Sequence, residues 1–337
     1  MSAYLWNTWY LAAWSREVAP GQLLARTFLE EPVVIYRARD GAPTALADLC
    51  PHRFAPLSMG YQVEDNIRCA YHGLEFDKAG ACARNPHGPI PKAAKVRRFP
   101  VIERYGAIWI WMGPTENADP DYLPDLSKFV GGDGQRFSRI YYHVDAHYEL
   151  LSDNILDLSH IEYLHPGSFG TSAVADSTLE VIPEGETVRS RRVIRDDPLT
   201  PMMARHLGDS GQLYDRYLDV RWHAPATLTL DVNIPKAGEP ETSGFTAPGA
   251  HIFTPERAGS THYFMTGLLH GDEPEDGVPG EIDPIFAEDK PMLEGQQARI
   301  GGRDFWSLKP VLLSVDAAGV YARRQLQRMI GAEAPLI

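Results

Sequence analysis

Residues 50–73 read CPHRFAPLSMGYQVEDNIRCAYHG. Cysteine and histidine occur here twice, as Cys50-x-His52 and Cys69-x-x-His72, with sixteen residues between the halves. Each half offers one thiolate and one imidazole from a loop at a strand end, and Pro51 and Gly73 shape the turns. Four such donors converging from two loops suit a zinc ion, or a 2Fe-2S cluster whose thiolates bind one iron and whose imidazoles bind the other. Neutral imidazoles in place of two thiolates leave such a cluster less negative and raise its reduction potential. Two buried thiols beside incidental histidines would leave the double spacing unexplained. The remaining cysteine, Cys82, has no partner spacing and reads as a buried thiol. Three cysteines are too few for a disulfide framework.

Around this stretch lie short strand-like runs, EPVVIYRA, APTALADLC, NIRCAYHGLEF and GAIWIWMG, separated by turns such as RDGAP and DKAGA. In the last run Trp109 and Trp111 alternate with isoleucines and read as core or interface packing. The first third is therefore expected to be a β domain. After Met112 the Pro114, Pro120 and Pro124 series and the Gly131, Gly132, Gly134 cluster break any regular pattern. A boundary near residue 115 follows, giving domains 1–115 and 116–337. The chain of 337 residues is long enough for both.

Beyond the boundary, HYELLSDNILDLSHIEYLH spaces Leu151, Ile155, Leu158 and Ile161 as a helix would. Long β-type segments follow, STLEVIPEGETVRSRRVI, YLDVRWHAPATLTLDVNI and GAHIFTPERAGSTHYFMTGLL, the first and third with hairpin-like turns. Two helical segments close the chain, IFAEDKPMLEGQQARI and DAAGVYARRQLQRMI. With no βαβ alternation, the fold class is α+β. On the last helix Arg323, Arg324 and Arg328 read as a solvated face, with docking of an acidic electron donor as the alternative.

Within Asp153–Pro166, DNILDLSHIEYLHP, an unbroken helix puts Asp153, Asn154, Asp157 and His160 on one face. His165 is five positions beyond His160 and falls off that face. Both imidazoles reach one ion only if the helix widens or ends between them, and Pro166 disfavours helical geometry at His165. A mononuclear iron that activates dioxygen takes two imidazoles and one carboxylate on one side. The carboxylate must then come from elsewhere, and Asp289, Glu288 and Glu294 are the candidates.

A net charge of -13 argues against a nucleic-acid partner. No apolar run is long enough to span a membrane, and the first residues lack the basic start of a signal peptide. A cytoplasmic location is expected.

The Cys50–Gly73 pattern resembles the Rieske motif of the Rieske-type non-heme iron oxygenases. Membrane-bound electron-transport Rieske proteins carry a further disulfide-linked cysteine in each loop, and these loops have none. NTWYLAAW, CPHRFAPLS, CAYHGLEFD, the DNxxDLxHxxYxH run and EDKxxLExQQ together resemble, in order and over nearly the whole chain, the oxygenase components of the vanillate and dicamba O-demethylase group. The resemblance implies an N-terminal all-β Rieske domain and a helix-grip-like antiparallel-sheet catalytic domain. It implies a 2Fe-2S cluster on Cys50, His52, Cys69 and His72, and Fe(II) on His160, His165 and Asp289. Asp157 would link His160 to the cluster histidine, His72, of a neighbouring subunit in a homotrimer, and Asn154 would support the iron. The implied reaction uses O2 to O-demethylate a methoxylated aromatic compound with release of formaldehyde. No GxGxxG follows a strand, so electrons must come from a separate NAD(P)H-dependent reductase or a ferredoxin.

For the small aromatic substrate, His251 matches a histidine that contacts substrate in dicamba-type relatives; the alternative is a satisfied histidine at a strand start. Those relatives also place a carboxylate-reading Asn where this chain has Leu230. Alternation puts Leu228 and Val232 on the same face as Leu230, with Asp231 and Asn233 turned away. This predicts an apolar wall and a neutral or differently oriented substrate. N-demethylation and ring hydroxylation are the rival reactions. The rivals outside the enzyme class are a Rieske electron-transfer protein and a zinc-stabilised binding module.

Overall fold

The computed structural model describes residues 4–131, 135–208, 211–270 and 282–333. The chain forms two compact units. One comprises Ser2–Pro124, Thr254–Arg257 and the end of the chain from Glu333; the other comprises Asp125–Phe253 and Ala258–Ala332. Among the described residues no helix is long and apolar enough to cross a membrane.

The first unit is built of short strands: β1 (Trp9–Trp14), β2 (Leu24–Phe28), β3 (Glu31–Arg37), β4 (Pro43–Ala47), β5 (Tyr61–Val63), β6 (Asn66–Arg68), β7 (Glu75–Phe76), β8 (Cys82–Arg84), β9 (Arg98–Phe99), β10 (Val101–Arg104) and β11 (Ala107–Trp111). They make three antiparallel sheets, ordered β1-β11-β10, β2-β3-β4-β9 and β5-β6-β7-β8. Every residue of β1 and β11 is buried, which is why both read as continuous apolar runs rather than alternating ones. Trp109 and Trp111 are core residues; Trp111 meets Trp9 edge-on with ring centroids 5.4 Å apart. A separate core of Val34, Tyr36, Leu46, Leu57, Ile67 and Phe76 takes in Cys50 and Cys69.

Residues 115–124, placed beyond the expected boundary, pack within this first unit as two 3-10 turns, Thr115–Asn117 and Pro120–Tyr122. Trp9 Nε1 donates to the Asp119 carbonyl at 2.7 Å, and Tyr122 stacks on Trp111 with centroids 6.0 Å apart. The prolines that break regular structure there do not prevent packing.

The second unit follows with α1 (Ser127–Val130), β12 (Phe137–Val144), α2 (Tyr148–Leu156), α3 (Ile161–Leu164), β13 (Thr178–Glu184), β14 (Thr187–Pro198), α4 (Pro201–Leu207), β15 (Leu213–His223), β16 (Thr227–Ile234), β17 (Phe245–Thr246), β18 (Gly249–Arg257), β19 (Ser260–Leu268), α5 (Ile282–Ile300) and α6 (Ala317–Ala332). Its antiparallel sheet runs β12-β19-β18-β16-β15-β14-β13, with β17 beside β16. The middle β-type segment also folds back as a hairpin, β15–β16, turning at Ala224, Pro225 and Ala226, which the sequence reading passes over. Burial alternates along β14, with Val188, Ser190, Arg192 and Ile194 inward.

On α6, Arg323 departs from the expected solvated face. It is 6% exposed, its fork donates to Asp153 Oδ2 from Nε at 2.9 Å and Nη2 at 2.7 Å, Nη1 pairs with Glu149, and its guanidinium covers Phe305 at 4.1 Å. A cation on the buried stripe of an amphipathic helix persists because two carboxylates of α2 meet it there. Asp153, on the helix face with Asn154, thus serves as a structural partner of Arg323.

Candidate functional site

In the first unit the two Cys/His loops have one backbone design. Cys50 N–H donates to the Ala55 carbonyl at 2.9 Å while its own carbonyl accepts from Phe54 N–H at 2.8 Å. Cys69 repeats this with Leu74 at 2.8 Å and Gly73 at 3.0 Å. The fourth residue after each cysteine has positive φ, 59° at Phe54 and 75° at Gly73, so each loop turns back and keeps its thiol inside. Both thiols are 2% exposed, neither is in a disulfide, and the His52 and His72 rings lie 4.4 Å apart. Burial pushes the Cys50 thiol up, with Cys69 adding to the shift, so two adjacent thiolates there need cationic charge to balance them. Two buried sulfurs and two paired imidazoles match the mixed donor set of a Rieske centre. His87 Nε2–H donates to the His72 carbonyl at 2.9 Å and steadies the second loop, a contact that no spacing announces. Cys82 is only partly buried, and its Sγ–H donates to the Arg84 carbonyl at 3.3 Å.

In the second unit the helix expected to carry Asp153, Asn154, Asp157 and His160 on one face ends early. α2 stops at Leu156, and Asp157 leaves helical geometry at φ -114°, ψ 91°. Its Oδ1 accepts from Ser159 N–H at 2.9 Å and so starts a 3-10 turn, Leu158–His160, which leads into α3. Asp157 and His160 therefore do not share a face of α2 with Asp153 and Asn154. That break lies before both histidines. The change that the His160–His165 spacing requires comes where α3 ends at Leu164, with His165 out of helical geometry at φ -118°, ψ 51° and no π turn between them.

His160, His165 and Asp289 then converge, their ligand atoms all lying within 4.8 Å of one another. His160 Nε2 is 3.6 Å from Asp289 Oδ1, and His165 Nε2 is 3.3 Å from Asp289 Oδ2. Both Nδ1 atoms face oxygen acceptors on the far side. His160 Nδ1 meets the Asp157 main-chain carbonyl at 2.7 Å, and His165 Nδ1 meets Glu288 Oε2 at 2.7 Å. With protons on Nδ1, both Nε2 lone pairs point at a carboxylate, an arrangement that needs a cation between them. Two imidazoles and a carboxylate on one side suit Fe(II) with open positions. Burial pulls the His160 pKa down. Burial acts the same way on His165, yet the Asp289 and Glu288 carboxylates beside it raise its pKa overall.

Asn154 Nδ2 donates to Asp289 Oδ1 at 3.0 Å. Of the rival acids, Glu288 orients His165, and Glu294 accepts from Asp145 N–H at 3.1 Å. Asp157 meets His160 through its main-chain carbonyl rather than its carboxylate. The carboxylate Oδ1 is also 3.3 Å from Arg192 Nη2, and Oδ2 accepts no hydrogen bond among the described residues.

The triad faces a cavity of about 280 Å³ between the sheet and α2 to α5. Leu230, Val232 and Ile234 line it from β16, while Asp231 turns away to pair with Lys128 at 2.6 Å; Leu228, expected beside them, is not in the wall. Met202, Met203, Phe169 and Phe286 add to its apolar surface. His251 lies in the wall, its Nδ1 2.6 Å from the Tyr263 hydroxyl, and burial lowers its pKa to about 4. Tyr263 has no motif around it in the sequence and is legible only in three dimensions.

Residues 8–100 match the Rieske [2Fe-2S] domain family, and residues 144–332 match the vanillate O-demethylase oxygenase C-terminal domain family. The oxygenase component of dicamba O-demethylase from Stenotrophomonas maltophilia is 36% identical, over 97% of this chain and 98% of that protein. The vanillate O-demethylase oxygenase subunit of Pseudomonas sp. (strain HR199 / DSM 7063) is 31% identical, over 97% and 95%. The crystal structure of dicamba monooxygenase bound to 3,6-dichlorosalicylic acid superposes with a TM-score of 0.87 at 34% identity, covering 98% of this chain and 99% of that one. With both domain families in order and such relatives along nearly its full length, the chain belongs to the Rieske-type non-heme iron oxygenases, as an oxidoreductase of the dicamba and vanillate O-demethylase oxygenase-component group.

Proposed function

We propose that the protein is the terminal oxygenase of a Rieske monooxygenase system that O-demethylates a methoxylated aromatic compound. Cys50 and Cys69 would hold one iron of a 2Fe-2S cluster and His52 and His72 the other, while His160, His165 and Asp289 would hold Fe(II). The observation that carries this reading is the His160–His165–Asp289 triad at the wall of an apolar cavity, with both Nδ1 atoms engaged elsewhere. When bound, the two centres supply electron storage and dioxygen activation.

The chain's own residues bind, orient and exclude water. The β16 stripe and the α4 methionines keep the cavity dry and present the methoxy carbon to the triad. Asn154 fixes the Asp289 carboxylate, and Glu288 and the Asp157 carbonyl fix the two rings. The net reaction consumes the aryl methyl ether, O2, two electrons and two protons, and yields the phenol, formaldehyde and water. The electrons come from a separate reductase or ferredoxin using NAD(P)H. We place the protein in the cytoplasm as a homotrimer in which Asp157 links His160 to His72 of a neighbouring copy; the carboxylate oxygen of Asp157 without an acceptor role among the described residues supports this. The test supplies a reductase, NADH and a panel of methoxyarenes while following formaldehyde and oxygen uptake. Formaldehyde release with oxygen uptake is the expected result; oxygen uptake with product and no formaldehyde eliminates demethylation.

A further inference from the structure

β14 does not keep one alternation along its length. Val188, Ser190, Arg192 and Ile194 point inward, so Asp196 would be next, yet Asp196 is exposed and Asp197 is buried in its place. The ladder to β15 slips between Ile194 and Asp197. Asp196, at φ 50°, takes up the extra residue, and its N–H donates to Asp215 Oδ1 at 3.1 Å. Such a bulge re-aims the side chain that follows it. Here it turns a carboxylate into the interior, where Nε of Arg216 on β15 pairs with Asp197 Oδ2. Both residues are 2% exposed, and an apolar pair of the same volume would fill the core as well.

The other polar atoms of the pair all turn to one short segment. Arg216 Nη1 donates to the Phe169 carbonyl at 2.8 Å and Nη2 to Thr171 Oγ1 at 3.2 Å, while the Thr171 hydroxyl donates to Asp197 Oδ1 at 2.5 Å. A rigid guanidinium fork and a carboxylate thus hold the segment at two points. That segment closes a turn that begins at His165. The His165 carbonyl accepts from Gly170 N–H at 3.0 Å, from Ser168 N–H at 3.3 Å and from the Ser168 hydroxyl at 3.1 Å. Gly170 sits so close that a Cβ there would stand 2.2 Å from the Ile161 carbonyl oxygen and 2.9 Å from that of His165. The far end of the turn therefore cannot shift without moving His165. The same frame reaches α4: Thr200 Oγ1 donates to the Ser168 carbonyl and, as the cap of α4, accepts from Met203 N–H at 3.2 Å.

We infer that Arg216, Asp197 and Thr171 are positioning residues for the iron ligand His165 and for the Phe169 side of the cavity, acting through residues 165–171. Glu288 sets the rotation of the His165 ring, and this frame sets where its main chain stands. Arg216 lines the cavity, but its three nitrogens are engaged by Asp197, Phe169 and Thr171, so its part is to hold the wall. The inference rests on His165 being an iron ligand.

The test follows removal of the mononuclear iron from the loaded oxygenase by a ferrous chelator. Thr171→Val keeps the side-chain volume and the Arg216–Asp197 pair but cuts the turn from them, and Thr171→Ser restores the hydroxyl. Iron should leave Thr171→Val about tenfold faster than the wild type, and Thr171→Ser at close to the wild-type rate, with the visible absorption of the cluster the same in all three. Arg216→Lys, which keeps the charge but loses the fork, carries the same expectation and serves if Thr171→Val does not fold. Asp219→Asn breaks the Arg189 pair on the other face of the same two strands and so reports loosening of the sheet alone; it should release iron at the wild-type rate. Unchanged release in Thr171→Val and Arg216→Lys, or release accelerated as much in Asp219→Asn, would overturn the inference and leave the triad reading intact. A wild-type protein that takes up no mononuclear iron beside an intact cluster would defeat the triad reading itself, and this inference with it.

Discussion

Asn154 Nδ2 donates to Oδ1 of Asp289 at 3.0 Å, joining side chains 135 residues apart. This bond ties α2 to α5 and fixes the carboxylate that faces both histidines. Asn154→Ala should weaken the retention of the mononuclear iron by about 10- to 100-fold. A ferrous chelator titration reads this directly, and the visible absorption of the cluster should stay unchanged.

Glu288 Oε2 accepts from His165 Nδ1 at 2.7 Å. Glu288→Ala leaves that N–H without its acceptor and frees the ring to rotate, whereas Glu288→Gln keeps a carbonyl oxygen in place. Iron retention should fall about tenfold or more in the alanine variant and less in the glutamine variant. Loss of all mononuclear iron in Glu288→Gln with full retention in Asn154→Ala would instead mark Glu288 as a ligand.

Arg323 is held between Glu149 and Asp153 with its guanidinium over Phe305. Arg323→Met keeps much of the apolar stem but strands two carboxylates, for which burial already raises the pKa. The expected loss is about 3 kcal/mol of unfolding free energy, seen as a lower denaturation midpoint. A loss below about 0.5 kcal/mol would mean that the pair behaves like an exposed one.

His147 caps α2, its Nδ1 accepting from Glu149 N–H at 3.3 Å, and burial together with the Arg323 charge lowers its pKa from 6.5 to about 4. The folded state therefore binds this proton less readily than the unfolded state. The stability it contributes is present above about pH 6.5 and is lost as pH falls toward 4. The limiting slope is about 1.4 kcal/mol per pH unit. His147→Asn keeps a capping side chain without the titration, so its stability should fall less steeply over the same range in denaturant titrations at successive pH values.

The cluster loops are legible in the sequence because a Rieske-type donor set leaves its ligands close together, at Cys50, His52, Cys69 and His72. The iron triad is only half legible. His160 and His165 share a segment, but Asp289 comes from a helix whose surface acids look alike, and a full-length resemblance, not spacing, separates it from Glu288 and Glu294. The helix end at Asp157 is hidden because Leu158 and Ile161 continue the three-to-four apolar period through the 3-10 turn. The signal that ends it is local: an aspartate two residues before a serine N–H it can accept from. Arg323 is illegible for a different reason, since periodicity marks which face of α6 is buried and cannot tell that a cation will be met there by two acids. Tyr263 and His251 become a pair only when β18 and β19 lie in one sheet.

The most direct measurement of the central claim is the stoichiometry of the coupled reaction. With reductase, NADH and 1,2-dimethoxybenzene, the loaded oxygenase should consume NADH and O2 and release formaldehyde and 2-methoxyphenol in equimolar amounts, and His160→Ala should abolish formaldehyde release while keeping the cluster spectrum. Undiminished formaldehyde release by His160→Ala would contradict the account.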